Sequence, residues 1–537
     1  MTTAPKSAMD AAIAEADALM RAGRIEPAAA KLRPFAQDPT SPKAAIDLCY
    51  LLAANELGED AIKVIAPRAL ASDASLAVLS AYGAALKSAG RLEEAVKVYQ
   101  RACIAAPQSA VAEHNLAAAL GDGHWFAQAE AASARALQKG LDGPETWLVR
   151  ARALQGLGRF DDAERAYRQC LLRRPNSADA HAELSQLIWV RTEDESLACQ
   201  MLDEARGSWP ADADLARARS KFLDSIGDRD RAYRVLADTA ARPGVDPMLH
   251  ADATLMAMWV DGAKAVDHAR LAMKVNPEHG AAIAALCQAY LATGEAALAL
   301  PLAEDLRRRW PLDQFAINLV GMCWRLLGDA RYRELYDYDR LVRHGPIDTP
   351  QGWTSLEAYL ADLKVSLEGL HRLRGHPIGQ SLRNGTQTPQ SLDRIQDPAI
   401  MAFFNAIDLS VQTYLASLER DGMALGRPYA RGGRCRVDKA WSIRLRPGGF
   451  HVSHIHPKGW ISSACHISLP PAIESGHEGW LGFGEPGLPT SPALPAEHFV
   501  KPEPGHIALF PSYMWHGTVP FSGEGERLGI ALDLLPA

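Results

Sequence analysis

This sequence has no closely spaced pair of cysteines and only a small excess of negative charge. The eight cysteines include no C-x-x-C pair, which favours single thiols in a reducing compartment over a disulfide framework or a structural zinc site. The 57 Lys and Arg residues against 64 Asp and Glu leave a formal charge of −7 over 537 residues. No broad basic surface is therefore available for phosphate backbones, and we expect no nucleic-acid partner.

Long apolar runs are also missing. No stretch of about 18 apolar residues is free of charged or polar interruptions, so we expect no membrane partner. The first residues, MTTAPKSAMDAAIAEAD, are acidic and alanine-rich, whereas a secretory signal begins basic and becomes apolar. We expect a soluble, cytoplasmic protein with room for roughly three or four domains.

The composition changes near residue 340. The upstream part is rich in alanine, and the downstream part is rich in glycine, proline, tryptophan and histidine. Eight of the 17 histidines lie in the last 98 residues. We therefore expect the functional residues in the C-terminal part.

The upstream part repeats with a period of 34 residues. Alanines mark the period at Ala61, Ala95, Ala129 and Ala163. In the unit at 76–107, apolar residues recur at helical spacing on both sides of a break at 89–91. Gly83 lets two helices approach closely, and Pro107 ends the second helix. Each unit is therefore predicted to be a helix, a turn and a second helix.

This period and pattern resemble the tetratricopeptide repeat, with about nine units over residues 9–340. The resemblance implies an all-α superhelix whose concave surface holds a peptide or partner protein. Exposed arginines offer a site for an acidic peptide, although charged residues on a repeat surface are more often only solvated. These arginines are Arg150, Arg152, Arg173 and Arg174.

Residues 341–430 predict a helical bridge that supports the C-terminal part. The segments 352–373 and 397–418 show apolar residues at helical spacing, and the segment 376–388 between them predicts an ordered loop. From about Arg434 the apolar period becomes two, which is typical of strands.

Residues 431–537 predict a run of short strands without intervening helices. Turns are predicted at 447–449 and 457–459, and later strands at 479–486 and 505–512 among others. Such a run indicates an all-β double-sheet jelly roll or a cupin-like barrel, with the bridge helices at its flank. The fold class is thus multidomain: an all-α repeat region followed by an all-β barrel.

Two histidines in this region are spaced for a metal site. His454 and His456 are two residues apart, so on a strand both side chains project from one face. A third ligand must come from a distant strand, and His516 lies 60 residues downstream. Arg527 follows eleven residues later, and its planar guanidinium can bind a carboxylate in bidentate fashion.

This arrangement resembles the 2-oxoglutarate and Fe(II)-dependent dioxygenases. The segments HPIGQSLRNGTQT, GGFHVSHIHPKGWISSACHISLP and KPEPGHIALFPSYMWHGTVPF further resemble one bacterial, prolyl-hydroxylase-like branch that is often preceded by tetratricopeptide repeats. The resemblance implies a double-stranded β-helix core, Fe(II) held by His454, His456 and His516, and 2-oxoglutarate bound by Arg527. It also implies that 2-oxoglutarate is converted to succinate and CO2 while a C–H bond is hydroxylated, here on a protein or peptide recruited by the repeats.

The sequence departs from the family pattern at three places. His456 replaces the usual metal-binding carboxylate, so three neutral imidazoles form the site. Cys465 and His466 stand where relatives carry two tyrosines, and His466 is expected to donate to the cosubstrate in their place. Gly529 stands where a serine or threonine hydroxyl often helps to hold the far carboxylate.

Other residues are candidates for supporting roles. His451 lies three residues before His454 and is expected on the opposite face as a turn or supporting residue, and Asp438 is the nearest carboxylate in sequence that can orient a ligand. The pocket candidates are Trp460, Ser462, Gln380 and Arg383. The residues expected to form apolar walls are Trp441, Trp460, Phe483 and Phe510.

Two alternatives stay open. The chain can be a noncatalytic tetratricopeptide adaptor with a degenerate barrel, as the changes at His456, Cys465, His466 and Gly529 suggest. It can also be a three-histidine metal oxygenase that does not use 2-oxoglutarate. Succinate formation separates the dioxygenase from both alternatives, and metal content separates the two alternatives from each other.

Overall fold

The computed structural model describes residues 8–21, 25–36, 42–420, 435–474 and 476–536. The chain divides into two compact units, residues 1–180 and 181–537. The helices of the first unit are α1 (Ala8–Arg21), α2 (Ile25–Ala36), α3 (Lys43–Ala54), α4 (Gly58–Ala69), α5 (Leu76–Ser88), α6 (Leu92–Ala105), α7 (Ala110–Asp122), α8 (Phe126–Gln138), α9 (Pro144–Gly156) and α10 (Phe160–Arg173). Helix α11 (Ala178–Thr192) begins just before the division.

The second unit begins with further helices. They are α12 (Glu195–Ser208), α13 (Ala213–Ser225), α14 (Arg229–Ala240), α15 (Leu249–Ala257), α16 (Gly262–Val275), α17 (Gly280–Ala292), α18 (Ala296–Arg309), α19 (Gln314–Leu327), α20 (Arg331–Leu335) and α21 (Tyr338–Leu341). Three helices of the predicted bridge follow, α22 (Leu356–Glu368), α23 (Pro398–Ala406) and α24 (Asp408–Arg420).

Consecutive helices pack in pairs, and eight such helical hairpins are seen in the described part of the chain: five within α1–α10 and three within α13–α18. Helices α5, α7, α9 and α11 begin at successive intervals of 34 residues. The predicted period and the predicted helix-turn-helix unit are therefore confirmed. Helix α13 begins one residue later than the period requires.

Small residues let these helices approach each other. The four alanines that mark the period are completely buried. A Cβ atom on Gly83 of α5 would lie 2.3 Å from the ring of Tyr99 on α6, so only glycine fits there.

The surface arginines of the repeats are already paired. Each forms an ion pair with a carboxylate of the same unit: Arg150 with Glu130, Arg152 with Asp179, Arg173 with Asp142 and Arg174 with Glu145. Their charge is offset within the fold, which weakens the case for an acidic peptide at this surface.

The β-strands form two antiparallel sheets. The strands are β1 (Arg343–Pro346), β2 (Leu382–Gln387), β3 (Cys435–His451), β4 (Ile461–Ser468), β5 (Leu481–Phe483), β6 (His498–Val500), β7 (His506–Pro511), β8 (His516–Thr518) and β9 (Arg527–Pro536). The larger sheet has the order β1-β7-β4-β9-β3-β2, and the smaller has the order β6-β5-β8. The predicted all-β architecture with flanking helices is confirmed.

The larger sheet has two different faces. On β9, Ile530, Leu532 and Leu534 are buried in a core that also contains side chains of α22, α23 and α24. Alternate residues point to the other face, where Ala531 and Asp533 are only half-buried. The second face therefore borders a more open space, and we call it the inner face.

Three details of the strands differ from the sequence prediction. β3 continues through the predicted turn at 447–449, because these residues bulge out of the strand. Within the bulge, Gly448 has φ +78°, and its N–H donates to the carbonyl of Phe521 at 2.6 Å. The predicted loop 376–388 contains β2, which pairs with β3. β1 and β6 were not predicted, and β1 pairs with β7. The proposed boundaries at 340/341 and 430/431 remain predictions.

Residues 398–418 form an apolar segment that is long enough, by length and composition alone, to cross a membrane. In this fold it lies in the core, where Phe403, Tyr414 and Leu418 are buried. Buried helices of a protein core pass the same test, so the segment is no evidence for a membrane partner.

We expect Gly83→Ala to destabilise the repeats by about 1–3 kcal/mol, because the added methyl group overlaps the buried Tyr99 ring. Gly121 of α7 has no atom within 4 Å of its Cβ position, so Gly121→Ala is a matched control. It should stabilise by about 0.5–1 kcal/mol, because alanine is the better helix former. Urea unfolding followed by circular dichroism compares the two variants. Equal stability of Gly83→Ala and the wild type would contradict the close approach.

The stability of the larger sheet should depend on pH through His371. Its ring nitrogens lie 2.8 Å from Thr386 Oγ1 and 3.0 Å from Ser442 Oγ, and burial, assisted by Arg444, lowers its pKa to about 4. The unfolded chain takes up the proton first, so this contribution is complete above about pH 6.5 and falls as the pH drops towards 4, by up to about 3 kcal/mol.

In His371→Gln the urea midpoint should therefore change less between pH 7.5 and pH 4.5 than in the wild type. Other buried histidines are present in both proteins and cancel in the comparison. Parallel pH profiles of the two proteins would show that His371 does not carry this dependence.

Candidate functional site

The segment 454–456 lies beyond the end of β3 and is held by backbone hydrogen bonds. The N–H of His454 donates to the carbonyl of His516 at 2.9 Å, and the N–H of His516 donates back to His454 at 3.1 Å. The N–H of His456 donates to the carbonyl of Ser512 at 3.0 Å. The segment is thus extended but is not part of a regular strand, in contrast to the prediction.

The three predicted ligands nevertheless converge. One ring nitrogen of each of His454, His456 and His516 lies within 4.8 Å of the other two. The Nε2 atoms of His454 and His456 are 3.1 Å apart. The ring centroids of His454 and His516 are 4.3 Å apart.

Each ring is oriented by a hydrogen bond at its other nitrogen. Nδ1 of His454 lies 2.9 Å from the carbonyl oxygen of Val452, and Nδ1 of His516 lies 2.9 Å from that of Met514. A carbonyl only accepts, so both Nδ1 atoms carry the proton and both Nε2 atoms present a lone pair. Histidine ligands of metal ions are held in this way.

Burial keeps the imidazoles of His454 and His516 neutral. It lowers the pKa of His454 to about 3, with His456 as a further cause, and it lowers the pKa of His516 well below its ordinary value. A neutral imidazole is the form that binds a metal ion. Converging lone pairs without a proton between them fit a cation.

The carboxylate of Asp533, which was not predicted from the sequence, orients the ring of His456. Nδ1 of His456 lies 2.7 Å from the carboxylate of Asp533 on β9, and the Ser462 hydroxyl donates to the same carboxylate at 3.0 Å. The Ser462 hydroxyl also lies 2.9 Å from Ser512 Oγ. The pocket candidate Ser462 therefore acts behind the ligand, whereas Asp438 is exposed and pairs with Arg436.

Arg527 is buried without a counter-ion. Its exposed fraction is 6%, and no carboxylate of the described residues forms an ion pair with it. Burial lowers its pKa to about 10, and its Nη1 has no hydrogen-bond partner in the structure. The neighbouring Glu526 forms its ion pair with Arg444, at 3.7 Å, and not with Arg527. A buried cation of this kind fits an anionic ligand.

His466 supplies a second donor beside Arg527. Nη2 of Arg527 lies 3.3 Å from Nδ1 of His466, and the guanidinium can only donate, so the imidazole proton lies on Nε2. This Nε2 is buried and has no partner in the structure. Burial and the Arg527 charge lower the pKa of His466 well below its ordinary value, which keeps this tautomer neutral.

The residues around this donor pair explain the other departures from the family pattern. A Cβ on Gly529 would lie 2.8 Å from the carbonyl oxygen of Cys465, so the strand has no room for a hydroxyl-bearing side chain. Cys465 is buried, and burial raises the pKa of its thiol, as expected for a packing residue. The rings of His344 and His506 lie 5.1 Å apart near His466 and were not predicted.

The aromatic walls are present in part. Trp441 stacks on His456 with centroids 6.3 Å apart, and Phe510 lies 4.6 Å from His516 and 4.9 Å from Phe483. Trp460 is buried in the hydrophobic core that contains the flanking helices.

Two of the pocket candidates, Gln380 and Arg383, are hydrogen-bonded to each other. His451 lies nearer to His454 than expected. Gln380 is exposed, and its carbonyl accepts from Arg383 Nη1 at 2.6 Å. His451 was expected on the opposite face from His454, but the strand ends at His451 and alternation stops there. Ser381 Oγ lies 2.9 Å from His451 Nδ1 and 3.3 Å from His454 Nε2.

Comparisons with known proteins agree with this arrangement. Residues 439–533 match the family model described as "Putative 2OG-Fe(II) oxygenase", and residues 144–187 match the tetratricopeptide repeat model. No curated protein matches the chain significantly.

Several solved tetratricopeptide proteins match part of the chain. A thermophilic TPR protein of Thermus thermophilus is 20% identical and covers 34% of this chain and 98% of its own, with a TM-score of 0.30. PilF of Pseudomonas aeruginosa is 21% identical, and the match covers 40% of this chain and 97% of PilF, with a TM-score of 0.30. MamA of Desulfovibrio magneticus is 16% identical and covers 32% and 95%, with a TM-score of 0.28.

These TM-scores lie below 0.5, so the solved structures carry no argument here. The assignment of the two regions to families rests on the family models, the helical hairpins and the three converging histidines. The chain carries tetratricopeptide repeats and, at residues 439–533, a domain of the 2OG-Fe(II) oxygenase family.

Proposed function

We propose that the C-terminal domain is an Fe(II)- and 2-oxoglutarate-dependent dioxygenase that hydroxylates a side chain of a protein or peptide. The observation that supports this most strongly is one combination on the inner face. Three Nε2 atoms converge, and a buried donor without a partner, Arg527 Nη1, lies on the same face. The three Nε2 atoms fit a divalent metal ion, and the buried guanidinium fits a carboxylate.

His454, His456 and His516 would hold the iron. Their Nδ1 partners fix the ring orientations before the metal arrives, so little reorganisation is needed on binding. Iron and 2-oxoglutarate, when bound, supply the oxidation in which O2 is consumed, succinate and CO2 are formed and a C–H bond is hydroxylated.

Arg527, positioned by His466, would hold the far carboxylate of 2-oxoglutarate. Arg527 offers Nη1–H to the carboxylate, and His466 fixes the guanidinium by accepting from Nη2. The Nε2–H of His466 lies on the far side of its ring and can donate only to a different acceptor. Both groups are buried, and a charge-assisted hydrogen bond is stronger where water is excluded. This pair compensates for Gly529 and for the missing tyrosines.

Aromatic side chains would exclude water around the metal. Trp441 covers one side of His456, and Phe483 and Phe510 lie beside His516. Such walls leave space for a substrate bond while limiting solvent access.

The repeats would recruit the substrate. Within the second unit, repeat helices contact the segment that leads into β2: the N–H of Gly379 donates to Ser225 Oγ at 2.7 Å, and Trp189 Nε1 donates to the carbonyl of His376 at 3.0 Å. Arg446 of β3 forms an ion pair with Glu193 at 2.7 Å. A polypeptide held by these helices would therefore lie close to the barrel.

A three-histidine oxygenase without 2-oxoglutarate is the second candidate, and the triad itself favours it. The unpaired Arg527 favours the dioxygenase, because an enzyme without an anionic cosubstrate gains nothing from a buried cation. A noncatalytic adaptor would need neither the oriented triad nor the buried cation.

The metal site is tested by His516→Ala. Removal of one of three ligands should reduce Fe(II) or Co(II) affinity by at least about 10-fold, measured by anaerobic titration. His477, an exposed histidine stacked on Phe499, provides the control His477→Ala, which should bind metal as the wild type does. Equal metal affinity in both variants would contradict the triad.

The cosubstrate site is tested by adding 2-oxoglutarate to the anaerobic Fe(II) protein and following the visible charge-transfer band. Arg527→Ala should weaken binding by about 30-fold or more, because a buried carboxylate loses its charged partner. Arg527→Lys and His466→Ala should each lose less, because one donor or the charge remains. The exposed Arg436 supplies the control Arg436→Ala, with unchanged affinity expected.

Succinate release on adding air then decides between the candidates. Succinate that depends on His516 and Arg527 supports the dioxygenase. Bound iron with neither the band nor succinate would favour the three-histidine oxygenase, and absence of metal binding would favour the adaptor.

A further inference from the structure

A divalent ion at the three histidines would carry a positive charge that its neutral ligands do not offset. Asp533 can offset part of that charge. A divalent ion held by three neutral imidazoles keeps its full charge, whereas a carboxylate ligand would halve it. Low-dielectric surroundings make such an excess charge costly. The charge of the nearest carboxylate therefore matters even when that carboxylate does not touch the metal.

Asp533 is placed to supply this charge. Its carboxylate lies 2.7 Å from His456 Nδ1, and the exposed fractions of the two side chains are only 14% and 16%. No lysine or arginine among the described residues forms an ion pair with it. Its described partners are the imidazole of His456 and the hydroxyl of Ser462.

The triad and Asp533 are thus two incomplete halves of one site. Three lone pairs converge on one point, and the largely buried carboxylate has no lysine or arginine partner among the described residues. One divalent ion at the triad satisfies both, since His456 connects the carboxylate to the metal position. The Ser462 hydroxyl, itself paired with Ser512 Oγ, holds Asp533 in place from behind.

We propose that Asp533 is a positioning residue that replaces, through His456, the carboxylate ligand that the metal site lacks. The inference rests on the proposed function only for the metal site and not for the use of 2-oxoglutarate. Asp533 fixes the ring orientation and donor strength of His456, and it offsets part of the metal charge.

The first test measures Fe(II) and Co(II) affinity of the full chain by anaerobic titration. Asp533→Asn keeps the size of the side chain and an acceptor oxygen but removes the charge, and it should lower affinity by about 10–100-fold. Ser462→Ala should lower it in the same direction by less. The exposed Asp438 supplies the matched control Asp438→Asn, with unchanged affinity.

A charge relocation provides the second test. His456→Asp supplies a carboxylate ligand directly, so the metal no longer depends on the charge that Asp533 provides through the imidazole. Adding Asp533→Asn should therefore lower Co(II) affinity less in the His456→Asp background than in the wild type. The visible Co(II) bands report the change of ligand directly.

The outcomes separate this proposal from the dioxygenase. Asp533→Asn with wild-type affinity, or an Asp533→Asn loss as large in the His456→Asp background as in the wild type, would overturn the role of Asp533. A wild-type chain that binds no divalent metal would overturn it as well. Metal affinity that depends on Asp533 without any succinate would uphold it while the dioxygenase proposal fails.

Discussion

The reciprocal hydrogen bonds between His454 and His516 are the constraint on which the site depends. They join the segment that follows β3, in the larger sheet, to β8, in the smaller sheet. The three histidines therefore come together where the two sheets meet, and this junction brings three lone pairs to one point. A metal ion bound there would stabilise the closed state, because the unfolded chain has no such site.

The inner face of the larger sheet carries unbalanced groups at both ends of β9. Among the described residues, no carboxylate pairs with the buried Arg527, and no lysine or arginine pairs with the largely buried Asp533. They lie too far apart along the strand to neutralise each other. Such groups cost folding free energy unless ligands satisfy them. The pattern is typical of a binding site, where stability is given up for preorganised interactions that the ligands complete.

The repeats and the oxygenase domain are connected through the segment before β2. Gly379 is bound to Ser225 of a repeat helix, and two residues later Ser381 contacts the ring of His454. The position of this edge of the sheet thus depends on helices that belong to the repeat array. This arrangement gives the repeats a structural role at the site in addition to the recruitment proposed above.

The sequence by itself determined the repeat period, because helical pairs of constant length place a small residue at Ala61 and its counterparts every 34 residues. It also predicted the three histidines that converge, and Arg527, because these residue types in this order resemble one family. Only the tertiary structure decided the position of Asp533 beside His456, the burial of Arg527 and His466, and the course of β3 through 447–449. These depend on which residues meet across strands far apart in sequence, and on a bulge that local turn signals cannot distinguish from a hairpin.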